Sequence, residues 1–247
     1  MRTTRVVSLT PEGKAFYPVA KRLLADWDQS LQDVRNHFKL ARGKLEIAAM
    51  PTYTINILPS IIANFHRQNP GINITIHDVI AESVEEMVKE GRCEFGITFE
   101  PSDAPELIFE PLFTDRFIAI LPSNHSLLNK RNLRWKDVLA YPHISLQRPA
   151  GTRLLIDLAL ANQNLALSPA FESHQLVSIG RMVYEGLGLS VVPNTSRAQM
   201  EQMGLHFRDI CSPKINHQVG IITRRKQALS AAAQAMKEFV QKAPVRL

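Results

Sequence analysis

The sequence predicts an α/β protein of two small subdomains, preceded by one long helix. Three observations carry this expectation. An apolar stripe of nearly heptad spacing runs through residues 11–42. Strand and helix patterns then alternate from Leu45 to Leu121. The same alternation restarts at His143 and ends in a helix near Gln241. Alternating β and α elements imply a parallel sheet with helices on both faces. At 247 residues the chain can hold two such layers with separate cores.

Residues 5–9 are short, β-branched and apolar, and read as a strand. Thr10, Pro11 and Glu12 then read as N-cap, first-turn proline and first-turn acid. The stripe that follows is Phe16, Ala20, Leu23, Trp27, Leu31, Val34, Phe38 and Ala41, in steps of three or four. A helix over 11–42 would be about 45 Å long. Its other face holds Lys14, Lys21, Arg22, Asp28, Arg35 and Lys39. Such a helix cannot bury its stripe alone, so it needs a partner helix or a membrane surface. The heptad-like spacing and mixed charges favour a partner helix. Gly43 is the expected stop.

The first layer begins with Leu45, Ile47 and Ala49 alternating as a strand. A helix follows, with Leu58, Ile61, Ile62 and Phe65 on one face, broken at Asn69, Pro70 and Gly71. Ile72, Ile74 and Ile76 form the next strand, 82–90 a short helix, and 95–99, 107–112 and 117–121 further strands. In the second layer, strands are expected at 143–146, 170–172, 189–192, 205–207 and 218–223. Helices are expected at 152–162, 176–184, 194–203 and 228–241.

Charge is unevenly spread. Residues 1–44 hold nine Lys and Arg against four Asp and Glu, and the remainder holds twenty against nineteen. A local basic excess suits an anionic partner such as nucleic acid, although a solvated helix face also explains it. Cys93 and Cys211 have no metal-ligand spacing, so neither a disulfide framework nor a metal site is expected. No signal peptide and no run of ~20 apolar residues is present, so the expected place is the cytoplasm, with no membrane partner.

The chemistry of an enzyme is missing. There is no GxSxG, Walker A, HExxH or GxGxxG, and Gly186-Leu187-Gly188 reads as a turn before a strand. The eight histidines are scattered, and His66, His77, His125, His143, His174, His206 and His217 read as loop or strand-edge residues, while Glu82, Glu85, Glu86 and Glu90 form a helix's solvent face. No catalytic residue, cofactor or metal is expected. The strand-to-helix junctions stand out instead. Thr52, Tyr53 and Thr54 follow one strand, Thr98 and Phe99 end another, Leu146 and Gln147 a third, and Ser173 and His174 a fourth. Ligands of open α/β sheets bind beyond the carboxyl ends of strands, where helix N-termini suit a carboxylate. Ordinary N-capping would explain each hydroxyl singly. Four junctions of one character favour a shared cleft. Thr54 is read as both a cap and a ligand contact.

These pieces resemble the LysR-type transcriptional regulators. The stretch from Arg2 to Leu24 is similar to the wing and linker-helix entry of that family. Similar blocks follow in order: Leu58-Pro59 with Phe65 and Asn69-Pro70-Gly71, then Gly91 through Gly96-Ile97, then Leu121-Pro122 with His125 and Leu127. The last block is the run Val183 to Pro193. Ser126 departs from the pattern, since the family usually has proline after the histidine, and a looser turn is the expected consequence. The resemblance covers the chain from the wing onward, so it implies a fragment without most of the winged helix-turn-helix, with Met1 as either an internal or an introduced start.

It further implies Rossmann-like subdomains of the periplasmic-binding-protein type. Residues 1–10 would be the wing remnant, with Arg2 and Arg5 on DNA phosphates. Residues 11–43 would be the dimerisation helix, using Phe16, Leu23, Trp27, Leu31, Val34 and Phe38. Subdomain I would be 44–117 with 218–247, and subdomain II 118–217, with crossovers near 117–121 and 218–223. The implied function is effector sensing and oligomerisation, as a homodimer or homotetramer, for a regulator of promoter DNA. The effector would be a small anion, a carboxylate being the candidate class. The competing reading is a cytoplasmic small-molecule-binding protein with no DNA role, which would need neither the basic strand nor the heptad stripe.

Overall fold

The computed structural model describes residues 9–38 and 43–244. Helix α1 spans Pro11–Phe38. Then come β1 (Gly43–Ala49), α2 (Pro51–Asn56), α3 (Leu58–Gln68), β2 (Ile72–Asp78), α4 (Ala81–Lys89) and β3 (Phe95–Phe99). The long β4 (Leu107–Leu121) leads to β5 (Leu133–Arg134), α5 (Trp135–Val138), β6 (Ile144–Leu146) and α6 (Gly151–Ala161). The chain continues through β7 (Phe171–Ser173), α7 (Leu176–Tyr184), β8 (Ser190–Pro193) and α8 (Arg197–Gln202). It closes with β9 (His206–Ser212), β10 (Asn216–Arg224) and α9 (Ala231–Lys242).

Thr10 starts α1 as expected: its Oγ1 accepts the Gly13 amide at 3.1 Å. Phe16, Leu23 and Trp27 are 62%, 57% and 64% exposed. The wing strand with Arg2 and Arg5, and the side chains of Leu31, Val34 and Phe38, lie outside the described residues. Gly43, the expected helix stop, is the first residue of β1 and pairs with Ile72; residues 39–42, between it and Phe38, lie outside the described residues. Ser126 opens a 3-10 turn, in which the His125 ring nitrogen accepts the Leu127 amide at 3.2 Å in place of the rigidity of a proline.

The sheet is mixed rather than parallel. β2, β1 and β3 are parallel neighbours, whereas β10 is antiparallel to both β3 and β4. The chain that leaves on β4 has to return, and the returning strand β10 runs the other way between β3 and β4. Strands expected separately at 107–112 and 117–121 are one strand. Residues from Leu107 to Arg116 pair with β10, and Phe117 to Leu121 pair with β8 and β9. Thr114, Asp115 and Arg116 break the apolar alternation where β4 passes between lobes. The change of partners therefore falls just before residue 117, and β10 joins β3 only from Val219.

The cores follow the same division. Leu45, Ile47, Phe65, Ile97, Ile221 and Met236 pack on one face of the first lobe, and Ala48, Val84, Val88 and Ile222 on the other. Phe117, Trp135, Ile156 and Leu189 form one core of the second lobe, and Ile118, Ile179, Val183 and Val192 the other. The period-two side-chain alternation of strands sends Ile47 and Ala48, or Phe117 and Ile118, to opposite faces. Trp135 is 1% exposed, and its indole N–H donates to the Pro213 carbonyl at 3.1 Å. Trp135→Phe is expected to cost about 1–2 kcal/mol, because that carbonyl loses its buried donor. A urea titration at constant slope checks this.

Candidate functional site

A cavity of about 200 Å³ lies where the two lobes meet. Its wall takes Thr52 and Ile55 from α2, Asp78 from the end of β2, and Ile80, Ala81 and Phe99 from the same lobe. The other lobe supplies Leu146, Gly151, Thr152, His174 and Leu176. The lobes touch here: a Cβ placed on Gly151 would lie 3.2 Å from the Phe99 ring and 3.4 Å from the Ala81 methyl. Glycine at 151 lets the start of α6 approach the other lobe that closely.

The helices α2, α4, α6 and α7 all begin at this cavity, behind Met50, Ile80, Ala150 and Gln175. None of the four has a side-chain cap. Pro51 has no amide, so α2 offers only that of Thr52, whereas α4, α6 and α7 leave the amides of their first two residues open to an acceptor from outside, and the partial positive charge of each helix start adds to them. No Ser or Thr side chain caps any of the four, so the competing reading of ordinary N-capping does not account for them. Asp78 brings a carboxylate to the same wall, and burial raises its pKa above the usual aspartate value. It offers an acceptor to a ligand hydroxyl or ammonium group.

Of the nine residues expected to contact an effector, Thr52, Phe99, Leu146 and His174 line this cavity. Tyr53 is buried behind it, 6.4 Å from the Phe113 ring and nearly parallel to it, and burial pushes its phenol pKa up. Thr54 is not a cap. Its hydroxyl donates back to the Met50 carbonyl at 3.1 Å, within α2. Thr98 is fully buried on β3, with no partner for its hydroxyl. Ser173 turns back on its own chain, where its Oγ accepts the Gln175 amide at 3.5 Å. Gln147 faces a separate polar depression with Arg148, Arg153 and Glu172. There the buried Arg153 donates to Glu172 at 2.9 Å, to Asp157 at 2.9 Å and to the Ser145 hydroxyl at 3.2 Å. It ties β6, β7 and α6 together behind the cavity wall.

The sequence reading missed Asp78, Ile80 and Leu176, and it marked Gly151 and Thr152 as a helix start without counting them as contacts. Ile80 and Leu176 stand at helix starts after a strand, the signal used for the others, but without a hydroxyl they drew no attention. Asp78 ends its strand as a single acid with nothing local to mark it.

Between the lobes the crossover strands carry a second polar cluster. Asp115 on β4 is 1% exposed and accepts from three donors. These are the Arg116 amide at 2.7 Å, the Thr195 amide at 3.2 Å and the Thr195 hydroxyl at 2.9 Å. His217 on β10 lies 3.9 Å from the same carboxylate, too far for a hydrogen bond. Its ring stands 4.8 Å from that of Phe99 and 5.0 Å from that of Phe117. Burial outweighs the pull of Asp115 and lowers the His217 pKa. His217 and His143 are core residues, not the loop or strand-edge residues expected.

Two α/β lobes joined by paired crossover strands, with a cavity at converging helix starts, define a ligand receptor of the periplasmic-binding-protein type. The LysR substrate binding domain matches residues 39–244, and the chain belongs to that family. It is 29% identical over 233 residues to the HTH-type transcriptional regulator YbhD of Escherichia coli, covering 94% of this chain and 74% of that one. The effector binding domain of QuiR in complex with shikimate superposes with a TM-score of 0.73 at 19% identity, covering 81% of this chain and 96% of that one. The regulatory domain of Synechocystis CcmR in complex with 2-PG gives 0.75 at 19% identity, with the same coverage of 81% and 96%. The chain thus carries the effector-sensing domain of a LysR-type regulator. Its relatives are transcriptional regulators rather than enzymes. Among the described residues, no helix is long and apolar enough to cross a membrane.

Proposed function

We propose that the cavity binds a small carboxylate bearing a hydroxyl or amino group, and that the bound ligand holds the two lobes together. The observation that carries this reading is the set of four uncapped helix starts around one cavity, with the Asp78 acceptor beside them. The amides and the Thr52 and Thr152 hydroxyls serve the anionic head. Asp78 takes the donor group, and Ile55, Phe99, Leu146 and Leu176 take the apolar body. QuiR, of the same fold, holds shikimate, a hydroxylated carboxylate. A ligand that touches both lobes favours the closed arrangement over an open one, which is the differential contact a switch needs. The moving units are 44–117 with 218–247, and 118–217.

Calorimetric titration with a panel of hydroxy- and amino-carboxylates tests the site. One of them is expected to bind, and Thr52→Val to weaken it at least tenfold, since hydrogen bonds to charged groups contribute about 1.5–3 kcal/mol. Thr54→Ala is expected to leave the affinity unchanged. Binding that is indifferent to Thr52→Val, or a bound ligand outside this cavity, would refute the assignment.

The exposed stripe of Phe16, Leu23 and Trp27 supports α1 as the dimerisation helix of a cytoplasmic homodimer or homotetramer, which in the full-length protein meets promoter DNA. The paired change Leu23→Glu and Trp27→Glu is expected to lower the mass measured by light scattering. An unchanged mass with the fold intact would remove the stripe from the interface. No observation favours a solute-binding protein without a DNA role.

A further inference from the structure

The sheet register builds a side-chain cluster away from the effector cavity. Glu46 on β1, His77 on β2 and Cys93 in the turn before β3 bring a carboxylate oxygen, the ring nitrogens' edge and a thiol sulfur within 4.8 Å of one another. The His77 Nε2 and Glu46 Oε2 atoms are 3.0 Å apart. We propose that Glu46, His77 and Cys93 form a binding site for a borderline divalent metal ion, with zinc as the fitting member of that class.

The chemistry of the three donors supports this. One thiolate, one imidazole and one carboxylate are the ligand types zinc combines in tetrahedral sites. Donors on one tetrahedral zinc sit about 3.3–3.7 Å apart, given bonds of ~2.0–2.3 Å. The three donor atoms lie within 4.8 Å of one another, so the partly exposed Glu46 and His77 side chains have to shift by about 1 Å to reach that geometry. The Glu46 and His77 side chains are 29% and 31% exposed, whereas Cys93 is 1% exposed. Cys93 forms the floor, packed with Ala48, Val84, Met87 and Val88. The ion enters from the solvent side, and the fourth position stays open to water. Lys44 Nζ holds the other oxygen of Glu46 at 2.5 Å, which orients the carboxylate as outer partners of metal ligands do. On binding, a sulfur–metal bond forms, the thiol proton passes to solvent, and no electron moves. The ion would fasten β1, β2 and the turn after α4. His77 directly precedes Asp78 of the effector cavity, so the site adjoins that wall through β2.

The test uses the 247-residue chain free of any histidine tag and stripped with a chelator. One equivalent of Co²⁺ is expected to produce a thiolate-to-cobalt charge-transfer band in the near ultraviolet, and one equivalent of Zn²⁺ to displace it. Cys93→Ser is expected to abolish the band, and Cys211→Ser to leave it. His77→Gln, a change at a partly exposed residue that leaves the core intact, is expected to weaken zinc at least tenfold in a competition titration. Absence of the band in the unaltered chain overturns the proposal. So does a band that survives Cys93→Ser, or zinc affinity indifferent to His77→Gln in folded protein.

Discussion

Asp115→Ala is expected to lower unfolding free energy by about 3 kcal/mol or more. The carboxylate is almost fully buried and accepts the Arg116 amide and both donors of Thr195. Removing it leaves the Thr195 amide and hydroxyl buried without an acceptor, and each such group costs about 1–3 kcal/mol. Asp115→Asn keeps a single acceptor oxygen, enough for the two Thr195 donors but not also for the Arg116 amide, and is expected to cost roughly half as much. The position gives the loss a second consequence. Asp115 lies on the strand that leaves one lobe, and Thr195 follows β8 in the other. Cutting this link frees the lobes to move independently, so effector affinity falls along with stability. Urea denaturation of the three proteins measures the first effect and calorimetry the second. A loss below 1 kcal/mol for Asp115→Ala would show that water or a shifted backbone satisfies Thr195.

Mild acid is expected to destabilise the protein through its buried histidines. His143 is 2% exposed and its Nδ1 has no partner. Burial, and secondarily the Arg153 cation, push its pKa down from 6.5 to about 4. The folded state therefore keeps this ring neutral where the unfolded chain takes up a proton. Its contribution is complete above pH ~6.5 and is lost as the pH falls from there toward 4. The loss amounts to about 1.4 kcal/mol by pH 5.5 and roughly 3 kcal/mol by pH 4. His217, lowered by its own burial, acts in the same direction. Urea midpoints at pH 7.5 and 5.5 measure the effect, and His143→Phe should reduce the difference. Equal midpoints in the unaltered protein would mean that the ring reaches solvent when it protonates.

Local patterns were enough for most elements. The Thr10 cap, the Leu176–Tyr184 helix and the Phe95–Phe99 strand depend on residues a few positions apart, and they stand in the structure where the sequence puts them. Two readings failed where a local signal met a long-range one. Phe113 to Arg116 looks like a break between strands, yet β10 pairs across it and β4 runs through. Thr54 looks like a cap, yet Met50 occupies that position and Thr54 lies within the first turn, where its hydroxyl bonds backward. His143 and His217 look like surface residues because nothing in their immediate neighbours predicts burial.

The sequence by itself determined the α/β class, the long first helix and the family. All of these follow from side-chain period, turn residues and the order of motifs, which are properties of neighbouring residues. The tertiary structure alone decided which junction residues share a cavity, and that four helix starts meet there without caps. It alone placed Asp78 in the cavity wall, linked Asp115 to Thr195 across the lobes, and brought Glu46, His77 and Cys93 together. The physical reason is common to all of them. Strand register and lobe packing set the distance between residues tens of positions apart, and no local preference encodes that distance.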